Sequence, residues 1–201
     1  MLPAASILVV AATGRELAAG PWRRLVCGVG PVEAAAATAA EIQKEKPAAI
    51  LHVGIAGARR AAGIAAGTIV IGAEARYCDL GVSAEWAPSS VAAPAQLIAA
   101  AERVLPFAAT GAIGTSARVG GALSGSTAGA PGLNVEAMEG FAVLRAAEIA
   151  GVPALEIRAI SNEIEEADRG KWQFDTAFDA IAAATPLVVA EFQRVVTPGR
   201  A

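Results

Sequence analysis

The sequence predicts an α/β protein, a sandwich of helices around a mixed or mostly parallel sheet. Short continuous apolar runs, the mark of strands buried on both faces, alternate with Ala-rich stretches of helical length. The chain's 201 residues suffice for one domain with a full core and are too few for two, so a single domain over residues 1–201 is expected. Hydrophobic residues make up 55% and aromatics only 4%, so the core must be built from small side chains at close approach.

Residues 7–12 (ILVVAA) form the first apolar run and residues 25–29 the second; both read as strands. Residues 32–45 are Ala-rich and read as a helix. Pro31 suits its first position, Lys44 and Lys46 suit its C-terminal end, and Pro47 stops it. Residues 50–55 form a third strand, leading into Gly54-Ile55-Ala56-Gly57, and residues 68–73 a fourth. Residues 94–105 read as a helix ended by Pro106, and residues 111–115 and 133–136 as further strands. Residues 138–150 read as a helix closed by Gly151 and Pro153. A strand over 154–160 and a long helix over 174–196, with a break near Pro186, complete the series. The Gly-, Ser- and Ala-rich residues 120–132 read as a mobile loop. No repeat and no dividing linker is visible.

Composition narrows the function. A formal net charge of −3 with no basic stripe argues against a nucleic-acid surface. Cys27 and Cys78, the only cysteines, lie in apolar surroundings outside any Cys-x-x-Cys pair, as expected of a reduced cytoplasmic protein. With His52 as the single histidine, a zinc site is not expected. The first residues lack the basic and apolar regions of a signal peptide. No apolar run reaches the ~18 residues of a membrane span.

Four segments carry chemistry. Gly28-Val29-Gly30-Pro31-Val32-Glu33 lacks the final glycine of a dinucleotide loop and reads as a tight strand-to-helix turn. Glu16 follows the first strand in Ala11-Ala12-Thr13-Gly14-Arg15-Glu16; by itself it reads as a solvated residue of a first helical turn. Glu136 and Glu139, in Val135-Glu136-Ala137-Met138-Glu139-Gly140, are three apart at an expected helix start. There they complement the helix dipole or, pointed into a pocket, accept from a vicinal diol, since an ionised carboxylate only accepts. Ser161-Asn162 ends the strand Glu156-Ile157-Arg158-Ala159-Ile160, where α/β proteins commonly bind ligands; a turn role for Asn162 is the alternative.

The order and spacing of these segments resemble the nucleoside phosphorylase and nucleosidase superfamily, and the futalosine hydrolases most of all. The resemblance implies a three-layer α/β/α sandwich with a central mixed sheet, and cleavage of a purine N-glycosidic bond without metal or cofactor. It implies that Glu16 activates water, that Glu139 binds ribose with Met138 against the sugar, and that Ala56 and Gly57 line the substrate site. The family pattern is Glu-Met-Glu. Here Ala137 separates Glu136 from Met138, which leaves the role of Glu136 open. Adenosine-type members are similar but carry Asp where Asn162 stands. An amide cannot supply an acidic proton, but it can accept from a protonated N7 while donating to a 6-oxo group, so Asn162 favours hypoxanthine. Asp168-Arg169 and Trp172 resemble the opening of the family's last helix, and Glu74-Ala75-Arg76-Tyr77 a segment near its subunit interface. A homodimer or larger homo-oligomer, a small nucleoside as the only other partner, and a place in menaquinone biosynthesis are further implications. Arg118 and Arg169 are candidates to face a carboxylate on the ribose 5′ chain. Alternatives are a methylthioadenosine or adenosylhomocysteine nucleosidase, a phosphorylase with Arg15 and Arg59 in a phosphate cradle, and a non-catalytic nucleoside-binding module.

Overall fold

The computed structural model describes residues 6–119 and 133–196, so the loop expected at 120–132 lies outside the described residues. Strands β1 (Ile7–Ala11), β2 (Arg23–Val26), β3 (Ala49–Ala58), β4 (Ile69–Tyr77), β5 (Ser90–Ala92), β6 (Ala109–Thr115), β7 (Val135–Ala137) and β8 (Ala154–Glu163) form one mixed 8-stranded sheet. Between and after them run helices α1 (Pro31–Lys44), α2 (Ala95–Val104), α3 (Gly140–Ile149) and α4 (Phe174–Val196). No described helix is long and apolar enough to cross a membrane.

Strand β1 is the buried centre of one end of the sheet, parallel to both β2 and β3. Beyond it the sheet closes on itself. Strand β3 pairs with β8, β8 with β4, β4 with β6, β6 with β7, and β7 returns antiparallel to the far end of β3. One apolar cluster, including Ala56, Val70, Ile113, Val135 and Ile160, draws on every strand of that ring and fills it with small and medium side chains.

Side-chain alternation divides the rest of the core. Leu51 and Val53 on β3, with Leu155, Ile157 and Ala159 on β8, face α2 and α4, where Leu97, Ile181, Val188 and Phe192 meet them. Leu8, Val10 and Ile50 face α1 and α3, whose Ala34, Ile42, Val143 and Leu144 cover them. Helix α1 starts as its sequence dictates, with Pro31 in its first turn and Lys44 in its last.

Three local expectations need correction, and one strand went unread. The second strand is Arg23–Val26 rather than 25–29. It is an edge strand with alternating exposure, so it shows no continuous apolar run, and residues 27–29 belong to the turn where Gly28 takes φ 86°. Helix α3 begins at Gly140 rather than 138, because the strand expected over 133–136 runs to Ala137, its Val135 and Glu136 paired with Ala58 and Gly57 of β3. Strand β5, too short to show a pattern, pairs with β4. Helix α4 runs through Pro186 without ending. Ile181 and Ala184 before it, and Val188, Val189 and Phe192 after it, are all buried, and that continuous packed face holds the helix together.

Candidate active site

A cavity of about 200 Å³ opens where the turn after β1, the ends of β3 and β8, and the β7–α3 junction converge. Glu16, Ala56, Gly57, Met138, Glu139 and Asn162 all line it, joined by Glu136, Ser161 and Trp172.

Glu16 is not the solvated helical residue its local sequence describes. It sits in a turn, 5% exposed, and the turn folds back on its carboxylate. Oε2 accepts from the Thr13 amide at 2.9 Å and the Thr13 hydroxyl at 2.8 Å, while Oε1 accepts from the Ile55 amide at 3.2 Å. These donors fix its orientation and leave lone pairs toward the cavity.

Glu139 is the N-cap residue of α3, but its side chain does not cap. The second amide of that helix, on Phe141, instead donates to Thr115 Oγ1 at 2.7 Å. Released from capping, the Glu139 carboxylate accepts from the Gly30 amide at 3.1 Å and from Arg158 Nη2 at 3.5 Å. Gly30 precedes α1 at φ 91°, a left-handed backbone that favours glycine. The turn read as purely structural therefore presents an amide to a carboxylate of the cavity. Glu136, in β7 rather than on the helix, is also buried at the cavity wall.

Asn162 follows a bulge. Ala56 pairs with Ile160 but Gly57 with Asn162, so Ser161 is the extra residue on β8 and the strand is re-aimed at the cavity. The Asn162 amide has only one consistent orientation. The Glu163 carbonyl can only accept, so Nδ2 faces it at 2.9 Å, and Oδ1 accepts from Ser161 Oγ at 2.7 Å. One amide hydrogen and one Oδ1 lone pair remain for a ligand.

Comparison with known proteins gives the chain a family. The family model for the phosphorylase superfamily matches residues 9–197. This chain belongs to the phosphorylase superfamily. Within it, a futalosine hydrolase of Streptomyces coelicolor is 33% identical over 187 residues, covering 81% of this chain and 76% of the relative. The futalosine hydrolase structure from Helicobacter pylori superposes with a TM-score of 0.79 at 16% identity, covering 94% of this chain and 98% of that one. A methylthioadenosine/adenosylhomocysteine nucleosidase from Colwellia psychrerythraea, solved with adenine, gives 0.79 at 20% identity and 96% coverage of each chain.

Behind the cavity lining stand residues that local sequence reading passed over. Arg158, 1% exposed, donates from Nε to Glu156 Oε1 at 2.7 Å, and its Nη2 contacts both His52 Nε2 and Glu139. Burial alone would depress the guanidinium, yet Glu156, Glu139 and Glu16 push its pKa upward, keeping it charged. Burial, then the negative charge of Glu139, drives the Cys27 thiol up to about 12, so Cys27 is no nucleophile. A signal for Arg158 was present: Glu156 and Arg158 stand two apart, hence on one face, inside an otherwise apolar strand.

Other candidates lie elsewhere. Arg15 pairs with Asp175 at 3.3 Å and lies over the Phe178 ring, and Arg59 donates to the Leu133 carbonyl, so neither lines the cavity. Arg118 and Arg169 do not line it either, although Val119, next to Arg118, does and Arg169 stacks 5.5 Å over the cavity residue Trp172. Arg76 and Glu74 pair with each other at 2.8 Å.

Proposed function

We propose that this chain is a single-domain, cytoplasmic purine nucleosidase that hydrolyses futalosine to hypoxanthine and dehypoxanthine futalosine, a step of menaquinone biosynthesis. The observation that carries the reading is the convergence of Glu16, Glu139 and Asn162 on one cavity, in a chain 33% identical to a futalosine hydrolase.

Glu16 takes a proton from water as the oxygen bonds to the anomeric carbon and the C–N9 bond breaks. Three hydrogen bonds, from the Thr13 amide and hydroxyl and the Ile55 amide, hold the carboxylate in place at the cavity wall. Glu139 accepts from the ribose hydroxyls, with Met138 beside the sugar. The transition state resembles an oxocarbenium ion, and the buried carboxylates stabilise its positive charge. The departing purine carries the bonding electron pair. The purine takes a proton at N7 from solvent water as it leaves; Asn162 accepts from that N7–H and donates to O6.

Adenine-releasing nucleosidases share this fold, so the second reading is a methylthioadenosine or adenosylhomocysteine nucleosidase. The amide of Asn162 weighs against it. Incubation with futalosine, inosine and methylthioadenosine separates the readings. Release of hypoxanthine with little adenine supports the first; preferential release of adenine replaces it with the second. The protein functions as a homodimer or larger homo-oligomer, checked by light scattering.

A further inference from the structure

Behind the cavity lies a charged cluster that the chemistry above does not use. The parallel register sets His52 beside Glu156 and Gly54 beside Arg158, all on one face of the β3/β8 pair. His52 and Glu156 are fully buried. A side chain at Gly54 would place its β-carbon 2.2 Å from Arg158 Nη1, so glycine there is what admits the guanidinium.

Hydrogen-bond bookkeeping fixes the state of His52. Its Nδ1 lies 3.0 Å from the Val10 carbonyl, which can only accept, so Nδ1 carries the proton. Its Nε2 meets Arg158 Nη2, which can only donate, so Nε2 carries the lone pair. His52 is therefore neutral and a single tautomer. Burial, then the Arg158 charge, holds its pKa well below the ordinary histidine value. Glu156 grips the other edge of the guanidinium through Nε. Its second oxygen has no hydrogen-bond partner and lies 2.1 Å from where a β-carbon on Gly140 would sit, packed against the start of α3.

We propose that His52 and Glu156 are positioning residues: they clamp the Arg158 guanidinium from two sides so that Nη2 is aimed at Glu139, and thereby set the ribose-binding carboxylate. The clamp is built from a neutral acceptor and a buried carboxylate because Arg158 presents only donors. The titratable groups facing the cluster are Glu16, Glu139 and Cys27. This inference rests on the nucleosidase reading through the role of Glu139.

His52 is the chain's single histidine, so ¹⁵N-histidine labelling gives one imidazole to observe. The expected spectrum is the Nδ1–H tautomer with no titration between about pH 5 and 8. Saturating inosine shifts Nε2 in the wild type and not in Glu139→Gln. In parallel, Glu156→Gln and His52→Leu each lower kcat/KM for futalosine about tenfold or more. Both lose that effect in the Glu139→Gln background, because the clamp then has nothing to aim. A titrating imidazole, an Nε2 resonance unmoved by inosine, or losses that simply multiply with Glu139→Gln overturn the positioning role. The spectra need no clamp variant, so they decide the matter even if Glu156→Gln fails to fold. A wild type that neither binds nor hydrolyses nucleosides, with His52 still in the expected tautomer, overturns the functional reading instead and leaves the network intact.

Discussion

The two faces of the β3/β8 strand pair differ as much as any two regions of this molecule. Toward α2 and α4 the pair presents Leu51, Val53, Leu155, Ile157 and Ala159, a dry surface with no charge. Toward α1, α3 and the cavity it presents His52, Gly54, Glu156 and Arg158, all buried. The residues alternate one by one along the same strands, so residue parity alone decides whether a position serves stability or the site. Continuous hydrophobicity is what a parallel strand covered on both faces needs. Charges at alternate positions interrupt that pattern at a cost in desolvation, which their mutual pairing offsets.

Breaking the apolar face should cost stability and leave the chemistry intact. Leu155→Ala removes a fully buried side chain and should destabilise the protein by about 2–5 kcal/mol, while kcat of the folded fraction stays near wild type. Denaturant titration beside steady-state kinetics checks both halves. A large fall in kcat at full folding would show that the two faces are not separable.

The polar face should behave oppositely. Gly54→Ala puts a β-carbon 2.2 Å from Arg158 Nη1 and 2.9 Å from Glu16 Oε1, displacing both groups together. A displacement of this size should lower kcat/KM by about 10²-fold. An unchanged rate would mean that neither group needs its present position.

A subtler change at the cavity end of β8 tests base recognition. Asn162→Asp puts a carboxylate oxygen where the amide donates, which repels a 6-oxo group and suits a 6-amino group. The activity ratio of inosine-type over adenosine-type substrates should fall at least about tenfold. A constant ratio would reduce Asn162 to a bulge residue.

The smallest effect concerns pH. His52 stays neutral when folded, whereas in the unfolded chain it takes up a proton below about pH 6.5. Acid therefore favours the unfolded state, and the contribution of His52 is lost as pH falls through that value. In His52→Asn the stability difference between pH 7 and 5.5 should shrink by about 1 kcal/mol relative to wild type. Parallel stability–pH curves for the two proteins would contradict the neutral assignment.

Much of this contrast was written in the sequence. The apolar runs located β1, β3 and β8, and Pro31, Lys44, Gly151 and Pro153 marked helix ends, because burial and chain geometry act locally. Edge strand β2 and short β5 left no such trace, since pairing with a neighbour defines them. The strand over 133–136 was legible as an apolar run, but the helix was set two residues early, at 138, because Glu139 suits a first helical turn whereas it precedes α3 as its N-cap residue. Of the residues lining the cavity, Glu139 and Asn162 were singled out by the resemblance to the superfamily, their local sequence leaving a helix-dipole and a turn role equally open. The burial of Glu16 was not legible, because Thr13 and Ile55 fold around it from different segments. The Arg158 cluster depends on the register between β3 and β8, which no single segment encodes.

The proposed function turns on hydrolysis of a purine nucleoside in this cavity with Glu16 as the base. Futalosine turnover in phosphate-free buffer, by wild type and Glu16→Gln, tests it most directly. Glutamine keeps the shape and removes the base. The wild type should release hypoxanthine and free sugar at a rate independent of added phosphate, and the variant should show a kcat at least roughly 10²-fold lower with substrate still bound. Near-normal turnover by Glu16→Gln, or sugar 1-phosphate as the main product once phosphate is added, would contradict it.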